Sequence, residues 1–229
     1  MPLLLQPREA YELWADTYPA TAHNPLMEVE QSIVERLLSQ TEAHRALDVG
    51  TGSGRYLPIL AAGGARVIGV DLSMAMLARV EDHVADPGAA AKGRRARSMR
   101  RIVCADACRL PFRRGTFDLV NASLMVGDVA DLAGWTREVC RVLTQRGHLV
   151  YSDFHPSWRQ NGWQRTFKDA NGVLHAVAYQ PHSIDDHLAA LAKAGMAVQA
   201  IREPRLKIAR RDTPVVVVFH AIKEFGTGR

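Results

Sequence analysis

Cysteine is scarce in this chain: three in 229 residues, Cys104, Cys108 and Cys140. An odd number without paired spacing excludes a disulfide framework and fits a reducing compartment, so a cytoplasmic location is expected. Cys104 and Cys108 have no neighbouring residues to complete a metal site, and no metal is expected. Long apolar runs are missing too. Nothing approaches the ~20 residues of a membrane span, and the opening MPLLLQPREA lacks the basic flank and length of a signal peptide. Excess charge is small, a net +5. Much of it sits in KGRRARSMRR (92–101), which reads as a solvated surface loop. That run contains no aromatic residue to interleave with its bases, so nucleic acid is not an expected partner.

Two nucleotide signatures are also absent. The loop in LDVGTGSGRY (47–56) reads Gly50-x-Gly52-x-Gly54, with Arg55 where a dinucleotide fingerprint continues towards its third glycine. No Gly-Lys-Ser/Thr ending follows, which excludes a P-loop.

Strand-like and helix-like stretches alternate along most of the chain. ALDVG (46–50), RVIGVD (66–71), RIVCAD (101–106), FDLVNAS (117–123) and GHLVYSD (147–153) are short buried runs. Helical patterns separate them: YLPILAAGG after the glycine loop, then Met74, Leu77, Val80 and Val84 behind an N-cap at Ser73. Leu132, Trp135, Val139 and Val142 mark a third face. This alternation predicts a doubly wound, mostly parallel α/β sheet whose ligands sit at the strands' C-terminal edge. VQAIREPRLK and TPVVVVFHAIKE, joined by a short polar link, are expected to form an antiparallel pair. Asn24 and Pro25 read as N-cap and first residue of an early helix with Val29, Ile33 and Leu37 on one face.

Three acids close three consecutive strands around the glycine loop: Asp48, Asp71 and Asp106. A carboxylate at Asp48 would repel a pyrophosphate but suit a ligand carrying a cation, such as S-adenosylmethionine with its ammonium and sulfonium. Asp71, about 20 residues after the loop, is placed to accept ribose hydroxyls. Asp106 can accept from an adenine amino group.

ALDVGTGSGRY, VIGVDLSMAML, CADACRLPFRRGTFDLV and REVCRVLTQRGHLVYSD together resemble the successive motifs of class I S-adenosylmethionine-dependent methyltransferases. The likeness is greatest to the branch acting in quinone biosynthesis and on malonyl carriers. It implies a Rossmann-like seven-stranded sheet with an antiparallel last strand. It also implies S-adenosyl-L-methionine as cofactor, with Asp48, Gly50 and Gly52 at the methionine part, Asp71 at the ribose, and Asp106 with Ala107 at the adenine. Leu72 and Met76 would pack on the adenine faces, and Tyr18 and Asn121 join the set. The chain is read as one domain: a helical N-terminal cap (1–45), a cofactor-binding core (46–153), a substrate-side insertion (154–182), and a C-terminal helix with the strand pair (183–229).

The acceptor is read from the insertion, which is longer than a typical connection. It is rich in rings (Trp158, Trp163, Phe167, Tyr179, His155, His175 and His182) and includes a hairpin with an Asn-Gly turn at 171–172. Ser183 with Asp186 marks the start of the next helix and Gly195 its end. The insertion is expected to wall a pocket for a small, flat aromatic or heteroaromatic acceptor, methylated on oxygen or nitrogen. Tyr11, Trp14 and Tyr18 share one helical face and would lie over the same edge. His155 is the first choice of general base, with His182 and Asp128 as rivals. The place after the fourth strand reads NASLMVGD, without the proline-aromatic run of base-amine methyltransferases. Competing readings are carboxyl methylation of a malonyl group on an acidic carrier protein, C-methylation of a quinone precursor, and a non-catalytic cofactor-binding subunit.

Overall fold

The computed structural model describes residues 2–80 and 102–225. The arginine-rich run 92–101 and Val84 lie outside the described residues. At its centre is a seven-stranded sheet of β2 (Arg45–Val49), β3 (Arg66–Asp71), β4 (Ile102–Cys104), β5 (Phe117–Ser123), β6 (Leu143–Phe154), β9 (Met196–Arg202) and β12 (Val216–Lys223). Their order is β4-β3-β2-β5-β6-β12-β9. The first five run parallel, and β12 runs antiparallel to both neighbours. The expected doubly wound sheet with one reversed strand near its end is therefore present.

Period-two alternation divides the sheet between two helical layers. Leu149 and Tyr151 of β6 and Phe219 and Ala221 of β12 face α5 (Leu132–Val142) and α6 (Ile184–Lys193). Val150 and Val218 face the other way, against α2 (Pro25–Leu38) and α3 (Leu57–Ala62). All four apolar positions expected on α5 are buried. On α2 the deepest positions are Met27, Glu30, Val34 and Leu37, a quarter-turn from the stripe read in the sequence. On α4 (Met74–Ala78) Met76 is buried whereas Met74 is exposed. The caps form as expected: Asn24 accepts from the Met27 N–H, Ser73 from that of Met76, and Ser183 with Asp186 completes a capping box.

Two features were not legible. The N-terminal cap is not purely helical, because β1 (Leu3–Leu5) pairs in parallel with β8 (Leu174–Val177). With β7 (Arg165–Lys168) it makes a three-stranded sheet, over which α1 (Pro7–Trp14) packs. In the link between β9 and β12, β10 (Arg205–Ile208) and β11 (Arg211–Pro214) form a hairpin. Its turn holds Ala209 and Arg210 at positive φ, residues that carry none of the usual turn signals. The β7–β8 hairpin exists, but its loop spans 169–173, with the Asp169 carboxylate accepting from the Asn171 and Val173 N–H groups. Among the described residues, no helix is long and apolar enough to cross a membrane.

The small sheet has its own core, where Trp14 stacks on Phe167 at 4.7 Å beside Leu5, Ala10 and Val177. Phe167→Ala should therefore loosen α1 and the hairpin as one unit. Hydrogen exchange should speed up together at residues 3–14 and 165–177, while β2 and β6 keep their protection. Faster exchange in the hairpin alone would show that the two segments are independent.

Candidate cofactor and acceptor cavity

The strand order reverses direction between β2 and β5, and a cavity of ≈ 930 Å³ opens at the C-terminal ends of the strands beside that point. The glycine loop forms one wall. Gly50, Gly52 and Gly54 all take left-handed φ values, +68°, +55° and +90°. A side chain at Gly50 would put its Cβ 2.6 Å from Met125 Cγ, so only glycine lets the loop close on the end of β5. Leu124, next to Met125, also has positive φ, and its N–H is held by the Ser152 hydroxyl at 2.9 Å.

Asp71 lines the cavity and braces it. One carboxylate oxygen accepts from the Gly52 N–H and the other from the Ser73 N–H, each at 2.9 Å. Burial raises its pKa, and those two N–H groups pull it back. Asp106 accepts from the Cys108 N–H at 2.8 Å, and with Leu72, Met76 and Ala107 it lines the same cavity. Burial pushes the neighbouring Cys108 thiol up to about 11, which disfavours the thiolate. Gly50, Gly52 and Tyr18 complete the expected set that meets at this cavity.

Asp48 and Asn121 do not line it. Asp48 is buried beneath the loop, accepting from Thr51 Oγ1 at 2.7 Å and from Asn121 Nδ2 at 2.8 Å. Its carboxylate is buried and off the cavity wall, where it holds the loop to β5. Burial raises its pKa to about 6, partly offset by those two hydrogen bonds.

The largest correction concerns the insertion. Among the described residues that line the cavity, none comes from 154–182. Trp158 packs edge-on to Phe154 and Trp163 and donates to the Val215 carbonyl at 2.9 Å, covering the sheet's end. His155 lies there too. Its Nε2 donates to Glu203 at 2.9 Å and its Nδ1 accepts from the Ser157 N–H at 3.0 Å, so both ring nitrogens are committed away from the cavity. His182 donates to the Val129 carbonyl from behind the cavity wall. His175 is bound to Asp169 in the hairpin loop. Of the three acid–base candidates, Asp128 alone lines the cavity.

The rings at the cavity come instead from the N-terminal segment. Tyr11 and Tyr18 line it, with Trp14 packed between them and Phe167. Arg165, buried on β7, ion-pairs with Asp128 and donates to the Tyr11 hydroxyl at 3.0 Å. Burial raises the pKa of Asp128, opposed by Arg165. Arg165 went unnoticed in the sequence, although the alternation in RTFK puts Arg165 and Phe167 on one face. A second buried cluster lies behind the loop. Glu30, fully buried on α2, accepts from Arg55 at 3.0 Å, from the Tyr56 hydroxyl at 2.8 Å and from the Ser152 hydroxyl at 2.7 Å. Nothing in the spacing of Glu30 marked it as polar core.

Comparison with known proteins matches residues 47–151 to the methyltransferase domain family. The chain is 32% identical over 122 residues to a demethylmenaquinone methyltransferase of Beutenbergia cavernae, covering 53% of this chain and 45% of that protein. It is 30% identical over 193 residues to a malonyl-[acyl-carrier protein] O-methyltransferase of Legionella pneumophila, covering 80% of this chain and 61% of that protein. The chain thus spans less than two-thirds of either relative. A crystal structure of an S-adenosylmethionine-dependent methyltransferase from Mesorhizobium loti superposes with a TM-score of 0.62 at 22% identity. It covers 85% of this chain and 97% of that one. The motif resemblance and the fold agree.

Asp48 provides a test of the loop brace. The folded chain holds its proton up to about pH 6 against an ordinary value of 3.8, so the folded state binds that proton more tightly. The resulting stabilisation is complete below about pH 4 and is lost as pH rises through 6, by at most roughly 3 kcal/mol. Asp48→Asn should therefore gain melting temperature relative to the parent between pH 4 and 7. Parallel pH profiles for the two proteins would contradict this.

Proposed function

We propose that this chain, whose residues 47–151 match a methyltransferase domain family, transfers the methyl group of S-adenosylmethionine to a small acceptor. The observation that carries the reading is the convergence of Gly50, Gly52, Asp71, Leu72, Asp106 and Ala107 on one cavity. The left-handed loop, which a Cβ would obstruct, suits close approach of a ligand to backbone. The two acids suit ribose and adenine donors, and Met76 supplies an apolar face. When bound, the cofactor supplies a reactive methyl; this chain's residues align the acceptor and exclude water.

At the inner end Tyr11, Tyr18 and Met125 offer apolar surface and Asp128 offers an acceptor oxygen. The charge of Arg165 is matched by Asp128, so that end presents a carboxylate and rings. This favours an aromatic or heteroaromatic acceptor bearing an O–H or N–H, donated to Asp128. The proton released as the new bond to the methyl carbon forms passes to Asp128 or to water.

The carrier-protein reading has its own support. The name of one relative refers to a malonyl-[acyl-carrier protein]. Exposed Arg109, Arg114, Arg137 and Lys193 also line the cavity, Arg137 beside Asp131, and suit an acidic partner.

Calorimetry should show S-adenosylhomocysteine binding and no NAD binding. Asp71→Ala should weaken binding by about 2–3 kcal/mol, since a charged acceptor of two hydroxyls is lost. An unaffected variant would remove the basis of the reading. Reversing Arg109, Arg114 and Arg137 to glutamate separates the two acceptor classes. Methyl transfer to a free aromatic acceptor should be nearly unchanged, whereas transfer to a malonyl carrier protein should show a steep rise in KM.

A further inference from the structure

The amino-acid head of the cofactor carries an ammonium and a carboxylate, and the acid expected to serve the ammonium is unavailable. Asp48 is sealed beneath the loop with both oxygens bonded. On that cofactor reading Asp71 and Asp106 take the ribose and the adenine, and the head falls to the remaining residues of the glycine-loop wall. Arg55 lines the cavity there, beside Gly50, Gly52 and Tyr18.

We propose that Arg55 anchors the carboxylate of the cofactor's amino-acid head and that Glu30 is the residue positioning it. This rests on the cofactor reading above. The guanidinium carries its five N–H donors in a planar fork. Nη1 is spent inward, on Glu30 at 3.0 Å and on Gln31 at 3.3 Å. Nε and Nη2 have no hydrogen-bond partner among the described residues and are not among the buried polar atoms left without one. They form the parallel edge that matches a carboxylate bidentately. The plane of the fork is set by the Tyr56 ring, whose centroid lies 4.4 Å from Cζ, and by Glu30, which is itself fixed by Tyr56 and Ser152. The Arg55 side chain is 11% exposed and that of Glu30 is not exposed at all, so the cation is preorganised with one edge open. Both oxygens of Glu30 are occupied by donors from three residues.

Two ligands that differ only in the head provide the test. S-adenosylhomocysteine carries the carboxylate and ammonium; 5′-methylthioadenosine shares its adenosine and thioether and lacks both. In calorimetry the unaltered protein should prefer S-adenosylhomocysteine. Arg55→Gln should weaken S-adenosylhomocysteine by about 10- to 100-fold and leave methylthioadenosine within about twofold. Removing the cation alone leaves Glu30 buried without its charge partner, which endangers folding. The double variant Glu30→Gln with Arg55→Gln keeps a neutral hydrogen bond in its place and should show the same selective loss. Equal losses for both ligands would show that Arg55 only shapes the loop, and unchanged affinities would show that it touches neither; either result overturns the proposal. If the unaltered protein binds neither ligand, the cofactor reading beneath it fails first.

Discussion

The bracing of Thr51 holds the cavity open. Its hydroxyl donates to Asp48, its N–H donates to the Val70 carbonyl at 2.9 Å, and Asn121 reaches Asp48 from β5. Three adjacent strands are thereby tied to one residue of the glycine loop. Gly69 on β3 is part of the same constraint, since a Cβ there would lie 2.9 Å from Thr51. With Thr51 held, the backbone turns left-handed on either side, Gly50 closes on Met125, and the Gly52 N–H meets Asp71. The loop's shape therefore comes from polar groups buried under it.

Buried charge recurs around this cavity in a consistent form. Arg165 with Asp128 and Arg55 with Glu30 are each paired out of water, and each pair joins segments distant in sequence. Pairs of this kind contribute little net stability, because desolvation cancels much of the attraction, yet breaking one is costly. Their effect is geometric. Arg165 ties the small N-terminal sheet to the turn that carries Asp128, and Glu30 ties α2 to the loop and to β6. The cavity is thus bounded by elements whose relative positions are set by directional contacts, while the apolar layers on both sheet faces supply the driving force for folding.

Much of the architecture was legible because it depends on local chemistry. Short apolar runs alternating with 3.6-period faces imply buried parallel strands with helices between them, and the caps at Asn24, Ser73 and Ser183 follow from side chains that compete for the first free N–H groups. What misled was proximity in sequence. The rings of 154–182 follow the fifth parallel strand and were expected at the cavity, but Trp158 and His155 found partners in Val215 and Glu203, near the hairpin inserted before β12. The cavity's rings came from Tyr11 and Tyr18 instead. An aromatic residue's composition signal says that it will be covered, and carries no information on what covers it.

The sequence alone determined the order of the core strands and helices, the glycine loop and the acids near its strand ends, since turn chemistry, periodicity and strand termination act over a few residues. Only the tertiary structure decided which acids face the cavity and which hold it from below. Asp48 and Asp71 end neighbouring strands with the same residue type, yet one meets Thr51 and Asn121 inside the protein while the other reaches the open edge. The same holds for Glu30 and Arg55, 25 positions apart, and for Asp128 and Arg165, 37 positions apart. Pairing across such separations depends on how whole elements pack, which no local pattern encodes.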